Sequence, residues 1–164
     1  MDRFVEAFRE TIRLGMEHLS QISEEQSTKP LADGKWSRKE VIGHLIDSAA
    51  NNHARFVRAQ LDNNLVFPGY EQEKWVAIQR YNEEPWRQLV ALWQHYNLHL
   101  SHLISVSEEA NRQEPRARHN LDRIGFQTVS SDQPTTLEYF MRDYVDHLRH
   151  HLRQILEDPL TDAK

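Results

Sequence analysis

The chain has 164 residues, with 25 acidic and 20 basic side chains and a formal net charge of −5 at pH 7. This charge disfavours duplex nucleic acid as the main partner, because phosphate binding requires a basic surface. There is no cysteine, so disulfides and thiolate ligands are excluded, whereas ten histidines supply candidate imidazole ligands.

Four segments with helical periodicity, and no competing strand pattern, predict an all-α fold. The first predicted helix covers residues 2–22, where apolar residues recur at steps of three and four, and it ends in the polar segment 23–30. The second begins at a capping box formed by Ser37 and Glu40 and runs to about residue 62.

The third predicted helix covers residues 85–108, with Pro85 in its first turn. A second capping box, from Thr135 to Glu138, opens the fourth helix, and Pro159 ends it. Four helices of this length predict an antiparallel four-helix bundle with long connections at 63–84 and 109–134.

The two long connections carry distinct patterns. The first contains Phe67, Tyr70 and Trp75, so we expect it to be packed and partly helical. The second gathers four arginines that either meet an anionic ligand or are solvated. These are Arg112, Arg116, Arg118 and Arg123.

The length predicts a single domain over residues 1–164. No apolar run approaches the roughly 20 residues that span a bilayer. The first residues lack the basic start and apolar stretch of a secretory signal. We therefore expect a cytoplasmic protein with no membrane partner.

Two histidines of the fourth predicted helix, His147 and His151, lie four positions apart and share one helix face. They lie roughly 60° and 20° from the centre of the apolar stripe, near Tyr144, whereas His150 lies roughly 120° away. Buried imidazoles need partners, and a metal ion is favoured over a hydrogen-bonded pair. His44 of the second helix would complete a three-histidine site if the two helices pack together.

A polar seam beside His44 suits a site at the edge of a bundle core, because outer ring nitrogens need hydrogen-bond partners. Asp143, one turn before His147, is a candidate acceptor for that ring. Asp47 lies roughly 160° from the centre of the second helix and is expected to be solvated or to cap a helix. The seam consists of Ser48, Asn51 and Arg55.

A rival cluster lies on the third predicted helix, where His95, His99 and His102 share a face at the spacing i, i+4, i+7. Spacing alone does not reject it. Four other histidines are interpreted as surface or hydrogen-bonded boundary residues. They are His18, His53, His119 and His150.

Four segments in this order carry a family resemblance: 35–47 (KWSRKEVIGHLID), 67–75 (FPGYEQEKW), 96–100 (YNLHL) and 136–151 (TLEYFMRDYVDHLRHH). They resemble the DinB-like, or YfiT-like, family of metal-dependent enzymes over most of the chain. The resemblance implies a four-helix bundle in which His44, His147 and His151 bind a divalent metal, nickel or zinc. It assigns no ligand to the rival cluster.

Three imidazoles leave coordination positions open for water or substrate, which is a catalytic arrangement. The resemblance implies a hydrolase or a thiol S-transferase that acts on a small molecule, the transferase with a low-molecular-weight thiol. A non-catalytic, stress-associated metal-binding bundle is the alternative. The sequence assigns no catalytic base. Relatives commonly form homodimers, and exposed aromatic residues, including the four tryptophans, would support such an interface, with the monomer as the alternative.

Overall fold

The computed structural model describes residues 1–156, and within this range the regular elements are helices, with isolated bridges and no strands. Four long helices form a bundle: α1 (Asp2–Leu19), α3 (Arg38–Ala59), α5 (Trp86–Val106) and α8 (Leu137–Leu156). Short elements fill the connections: α2 (Glu24–Ser27), α4 (Gln72–Gln79), a 3₁₀ turn (Tyr81–Glu83), α6 (Glu109–Gln113) and α7 (Leu121–Ile124). The all-α four-helix bundle is therefore confirmed.

Each long helix packs against two others, because both α1 and α3 contact α5 and α8. The indole of Trp86, at the start of α5, donates a 3.0 Å hydrogen bond to Leu19 O at the end of α1. Arg38, at the start of α3, donates a 3.1 Å hydrogen bond to Ile155 O near the end of α8. The pairs α1/α5 and α3/α8 are therefore antiparallel.

Helices α3 and α5 begin at the same end of the bundle. Glu24 shows this, because its carboxylate accepts hydrogen bonds from Lys39 Nζ, in the first turn of α3, and from Trp86 N, in the first turn of α5. The chain between α3 and α5 must therefore return along the bundle. This requirement explains why the connection is long and contains α4 and the 3₁₀ turn.

The capping box at the start of α3 is confirmed. Ser37 Oγ accepts from Glu40 N at 3.2 Å, and the Glu40 carboxylate accepts from Ser37 N at 2.8 Å. Together these bonds satisfy two backbone donors at the helix start.

The predicted cap at Thr135 is wrong by one residue. Thr135 exchanges two backbone hydrogen bonds with Arg116, so its main chain is held in an isolated bridge. Thr136 instead accepts from Tyr139 N at 3.0 Å, and α8 starts after it. The predicted helix end at Pro159 lies outside the described residues.

The first long connection is packed and partly helical, as predicted. Phe67 is buried and stacks on Phe140 of α8, with the ring centroids 6.0 Å apart. Two of the four tryptophans, Trp86 and Trp93, are also buried. The expectation that all four are exposed is therefore wrong, because apolar stripes carry two of them into the core.

The arginines of the second connection differ from one another. Arg112 and Arg116 are buried, and both donate to backbone carbonyls. Arg116 reaches Ala59 O at 2.6 Å and thereby caps the end of α3. For these two, neither a ligand role nor solvation is found. Arg118 and Arg123 are exposed. Within the described range no helix has the length and apolar character needed to cross a bilayer.

Candidate metal centre

Packing of α3 against α8 brings together His44, His147 and His151. One ring nitrogen from each lies within 4.8 Å of the other two. The Nε2 atoms of His44 and His147 are 3.2 Å apart. This separation is close to the edge of a tetrahedron of nitrogens about 2.0–2.1 Å from zinc, which is about 3.3 Å. The donor set therefore fits a borderline divalent metal ion.

Burial keeps these rings uncharged at neutral pH. His44 is 1% exposed, and burial, followed by the nearby His151, lowers its pKa to about 4. Burial and the neighbouring histidines lower the pKa of His147 to about 2. The pKa of His151 is also lowered, chiefly by burial. Neutral imidazoles keep the lone pairs that metal coordination requires.

The outer ring nitrogens have different surroundings. His147 Nδ1 lies 3.4 Å from Ser48 Oγ, and His151 Nδ1 lies 2.8 Å from Gln154 Oε1. His44 Nδ1 is buried and has no hydrogen-bond partner among the described residues. The polar seam on α3 thus supplies Ser48 to this site, as predicted from its position on the helix.

Asp143 does not take the predicted role beside His147. Its two carboxylate oxygens accept hydrogen bonds from Phe126 N at 2.8 Å and Gln127 N at 2.6 Å. Burial raises the pKa of Asp143, against these two hydrogen bonds. The carboxylate therefore holds the chain that precedes α8, and the ring of Phe126 lies 5.4 Å from the ring of His147.

Asp47 is buried, which corrects the expectation of a solvated or capping carboxylate. The returning chain between α3 and α5 covers it, and its Oδ1 accepts from Gln79 Nε2 at 2.8 Å and from Tyr81 OH at 2.9 Å. Burial raises the pKa of Asp47 in spite of these two bonds. Helical phase alone missed this, because it ignores coverage by loops.

A cavity of about 460 Å³ adjoins the three histidines. Its walls come from α3, α8 and both long connections. Besides the histidines, its polar lining includes Ser48, Asn52, Arg55, Tyr70, Arg123 and Asp143. The sequence pattern does not assign Tyr70 or Phe126 to the site, although it predicts that the connection containing Tyr70 is packed.

The rival histidines on α5 do not converge. His95, His99 and His102 are exposed, and His95 Nδ1 pairs with Ala91 O at 2.8 Å. His99 meets His53 with ring centroids 5.1 Å apart. Within residues 1–156, the histidines of α3 and α8 form the one group of three residues whose ligand atoms lie close enough together to hold a metal ion.

Of the other histidines, the hydrogen-bonded interpretation holds for His119. This ring is buried, its Nε2 lies 2.8 Å from Gln133 O, and its Nδ1 accepts from Leu121 N. His18 and His150 are exposed. His150 nevertheless lies at the rim of the cavity, next to Phe126.

Comparison with known proteins agrees with this fold. YfiT from Bacillus subtilis, described as "a probable metal-dependent hydrolase with an unusual four-helix bundle topology", matches 95% of this chain and 83% of its own, with a TM-score of 0.76 and 20% identity. The mycothiol-dependent maleylpyruvate isomerase matches 92% of this chain and 60% of its own, with a TM-score of 0.64 and 14% identity. At these identities, the likeness establishes the fold.

Curated relatives match a shorter segment. A protein of Oceanobacillus iheyensis named "putative metal-dependent hydrolase" is 35% identical over 69 residues, 42% of this chain and 39% of the relative. One of the same name from Bacillus mycoides is 28% identical over 60 residues, 37% of this chain and 35% of the relative. These matches span less than half of either relative. The profile of the DinB superfamily matches residues 7–155, and the chain belongs to that superfamily.

Proposed function

We propose that His44, His147 and His151 bind one divalent metal ion and that the protein is a metal-dependent enzyme acting on a small molecule. The carrying observation is the convergence of three neutral imidazoles beside a cavity of about 460 Å³. A cavity of this volume suits a small-molecule ligand. The names of the relatives support metal dependence.

An open coordination sphere favours a catalytic site over a structural one. Structural zinc sites are closed by four protein ligands. Among residues 1–156, three histidines form the group with ligand spacing, and no fourth side chain joins them. Asp143 lines the same cavity, but two backbone N–H groups occupy its carboxylate. This favours the enzyme over the alternative of a non-catalytic metal-binding bundle.

Nickel and zinc are the proposed metals, because imidazole ligands suit both. Bound there, the metal would act as a Lewis acid that lowers the pKa of a coordinated water or thiol. The first case gives hydrolysis, which the names of the relatives favour. The second gives thiol transfer with a low-molecular-weight thiol, which the mycothiol-dependent structural neighbour favours.

The chain's own groups then bind and orient the reacting molecule. Ser48 Oγ faces the outer nitrogen of His147 and fixes the orientation of that ring. The ring of Phe126 lies against His147, with the ring centroids 5.4 Å apart, and restricts the movement of that ring. Tyr70 lines the cavity, and burial together with the charge of Asp47 raises its pKa to about 12, so its hydroxyl remains a proton donor at neutral pH.

Metal analysis tests the site directly. The full-length protein, purified without a histidine tag, is stripped with chelator and reloaded with Zn²⁺ or Ni²⁺, and metal is counted by mass spectrometry. We expect one ion per chain in the wild type and a loss of stoichiometric binding in His147→Ala and His151→Ala. His102→Ala is the control, because it removes an exposed histidine of α5. Full metal content in all three variants would refute the assignment.

A second experiment tests the reaction. The reloaded protein is assayed against amide and ester substrates with and without low-molecular-weight thiols. Turnover that needs both metal and thiol supports transfer, and turnover that needs metal alone supports hydrolysis.

We also propose a homodimer, since Leu61, Ile78 and Val106 are exposed apolar side chains. Light scattering on the same samples measures the mass.

A further inference from the structure

Arg55 is a buried cation without an anionic partner. It lies on α3, is 6% exposed, and lines the same cavity as the three histidines. Its guanidinium donates to Pro68 O at 2.9 Å and approaches Asn52 Oδ1 at 3.5 Å, and neither group carries a charge. Buried charges in proteins are usually paired, because desolvation without a counter-charge is costly. An ionic partner is therefore missing from residues 1–156.

The remaining charges of the cavity leave this cation uncompensated. Arg123 also lines the cavity, and its Nε lies 3.5 Å from Asp122. The acid of the lining is Asp143, whose two oxygens already accept hydrogen bonds from Phe126 N and Gln127 N. The chain as a whole carries a formal charge of −5. Within a chain that is acidic as a whole, the unpaired guanidinium of Arg55 gives this cavity a local positive charge that favours entry of an anion.

The position of Arg55 on α3 relates it to the histidine site. The cavity residues His44, Ser48, Asn52 and Arg55 follow one another on α3 at steps of four, four and three, so they share one helix face. Their side chains form a row of contacts that starts at the site: His147 Nδ1 lies 3.4 Å from Ser48 Oγ, Asn52 Nδ2 donates to Ser48 Oγ at 3.3 Å, and Arg55 approaches Asn52 Oδ1 at 3.5 Å. The cavity therefore has imidazoles towards one end and a guanidinium towards the other.

We propose that Arg55 binds an oxyanion of the substrate, a carboxylate or a phosphate, and so orients the substrate with its reacting part at the histidines. A guanidinium suits this task because its planar set of N–H donors matches either anion with two parallel hydrogen bonds. This inference rests on the proposed function, and it names the substrate class of the same site as small anionic molecules.

Calorimetric titration with simple anions tests the proposal. Succinate, inorganic phosphate and the neutral analogue succinamide are titrated into full-length protein, both metal-loaded and chelated. We expect succinate or phosphate to bind in both states and succinamide to bind in neither. Arg55→Gln, which keeps N–H donors but removes the charge, should raise the Kd of the bound anion about 10–100-fold. Arg58→Gln, which removes an exposed arginine of the same helix, should leave the Kd unchanged.

Comparison of succinate with phosphate identifies the oxyanion that Arg55 recognises. It is the anion that binds more tightly and whose Kd rises in the Arg55 variants. If Arg55→Gln does not fold, Arg55→Lys retains the charge but loses the paired donors, and its Kd should rise by a smaller factor. Equal binding by wild type and both Arg55 variants, or no anion binding by wild type, would overturn the inference. Anion binding without metal binding would instead refute the proposed function alone.

Discussion

The Nε2 atoms of His44 and His147 lie 3.2 Å apart, although 103 positions separate the two residues in the chain. The first belongs to α3 and the second to α8, so this contact exists only when the two helices are packed. Protonation of either ring would place a positive charge in a buried site, where desolvation disfavours it. The metal-free protein should therefore couple its stability to pH.

The direction of this coupling follows from the lowered pKa values, about 4 for His44 and about 2 for His147, against 6.5 for an ordinary histidine. Below pH 6.5 the unfolded chain binds protons that the folded state does not, so stability falls as pH falls. We predict that the contribution of these histidines to the free energy of unfolding of metal-free protein declines below pH 6.5 and continues to decline towards pH 4, opposed by Asp47 and Asp143, whose raised pKa values favour the folded state as pH falls. Each histidine contributes up to about 1.4 kcal/mol per pH unit.

Urea unfolding in the presence of chelator at pH 7.5, 6.5 and 5.5 measures this decline. His147→Gln should reduce the slope, since it removes one of the groups that bind a proton in the unfolded chain but not in the folded protein over this pH range. His102→Gln should keep the wild-type slope, because His102 is exposed on α5. The explanation fails if the two variants show the same pH dependence.

The candidate site could be predicted in part, because ligand spacing and helical phase are local properties. His147 and His151 follow from the spacing i, i+4, and Ser48 follows from its place beside His44 on α3. The approach of α3 to α8 is a tertiary property. From the sequence alone, His44 joins the site only if these two helices pack together. The family resemblance is what leads us to expect that packing.

The environment of the site could not be predicted, because it depends on where two long connections fold. Helical phase placed Asp47 towards solvent, but the returning chain covers it with Tyr81. It placed Asp143 beside His147, but the carboxylate instead accepts hydrogen bonds from backbone N–H groups of the chain before α8. Local periodicity describes a helix in isolation and holds no information about such coverage.

Orientation of the His151 ring gives a second prediction. Its Nδ1 lies 2.8 Å from Gln154 Oε1, a contact that restrains the ring, and the ring centroids of His44 and His147 lie 4.9 Å and 4.6 Å from that of His151. Removing such a partner typically weakens metal affinity 10–100-fold. We predict a loss of roughly this size in Gln154→Ala.

Competition with a chromophoric chelator for Zn²⁺ measures this affinity. Gln88→Ala, which truncates an exposed glutamine of α5, is the control and should match the wild type. Unchanged affinity in Gln154→Ala would mean that packing alone orients the ring of His151.

Close packing at Gly43 gives a third prediction. A Cβ atom at this position would lie 2.0 Å from Tyr81 Cδ2, so the tyrosine ring must move if alanine is introduced. Such movement would break the hydrogen bond from Tyr81 OH to Asp47 Oδ1. We predict that Gly43→Ala lowers the free energy of unfolding by about 3 kcal/mol, at the upper end for overpacked cores.

Gly69→Ala is the matched control for this change. A Cβ at Gly69 meets Ile124 Cγ2 at 3.7 Å, which is an ordinary contact. Its effect on the free energy of unfolding should stay within about 0.5 kcal/mol. Thermal and urea unfolding of both variants provide the comparison, and equal stabilities would show that the ring of Tyr81 moves without cost.

The carboxylate of Asp143 gives the last prediction, because it joins α8 to the chain that carries Phe126. Its two oxygens accept from Phe126 N and Gln127 N, whereas the amide of Asp143→Asn offers one acceptor and turns an N–H₂ group towards the second donor. We predict a loss of about 1–3 kcal/mol in stability and faster amide exchange at residues 126 and 127. Hydrogen–deuterium exchange measures this, with the exposed Asp146→Asn as control. Unchanged exchange in Asp143→Asn would show that this segment is held by the Phe126 ring against His147 and not by the carboxylate.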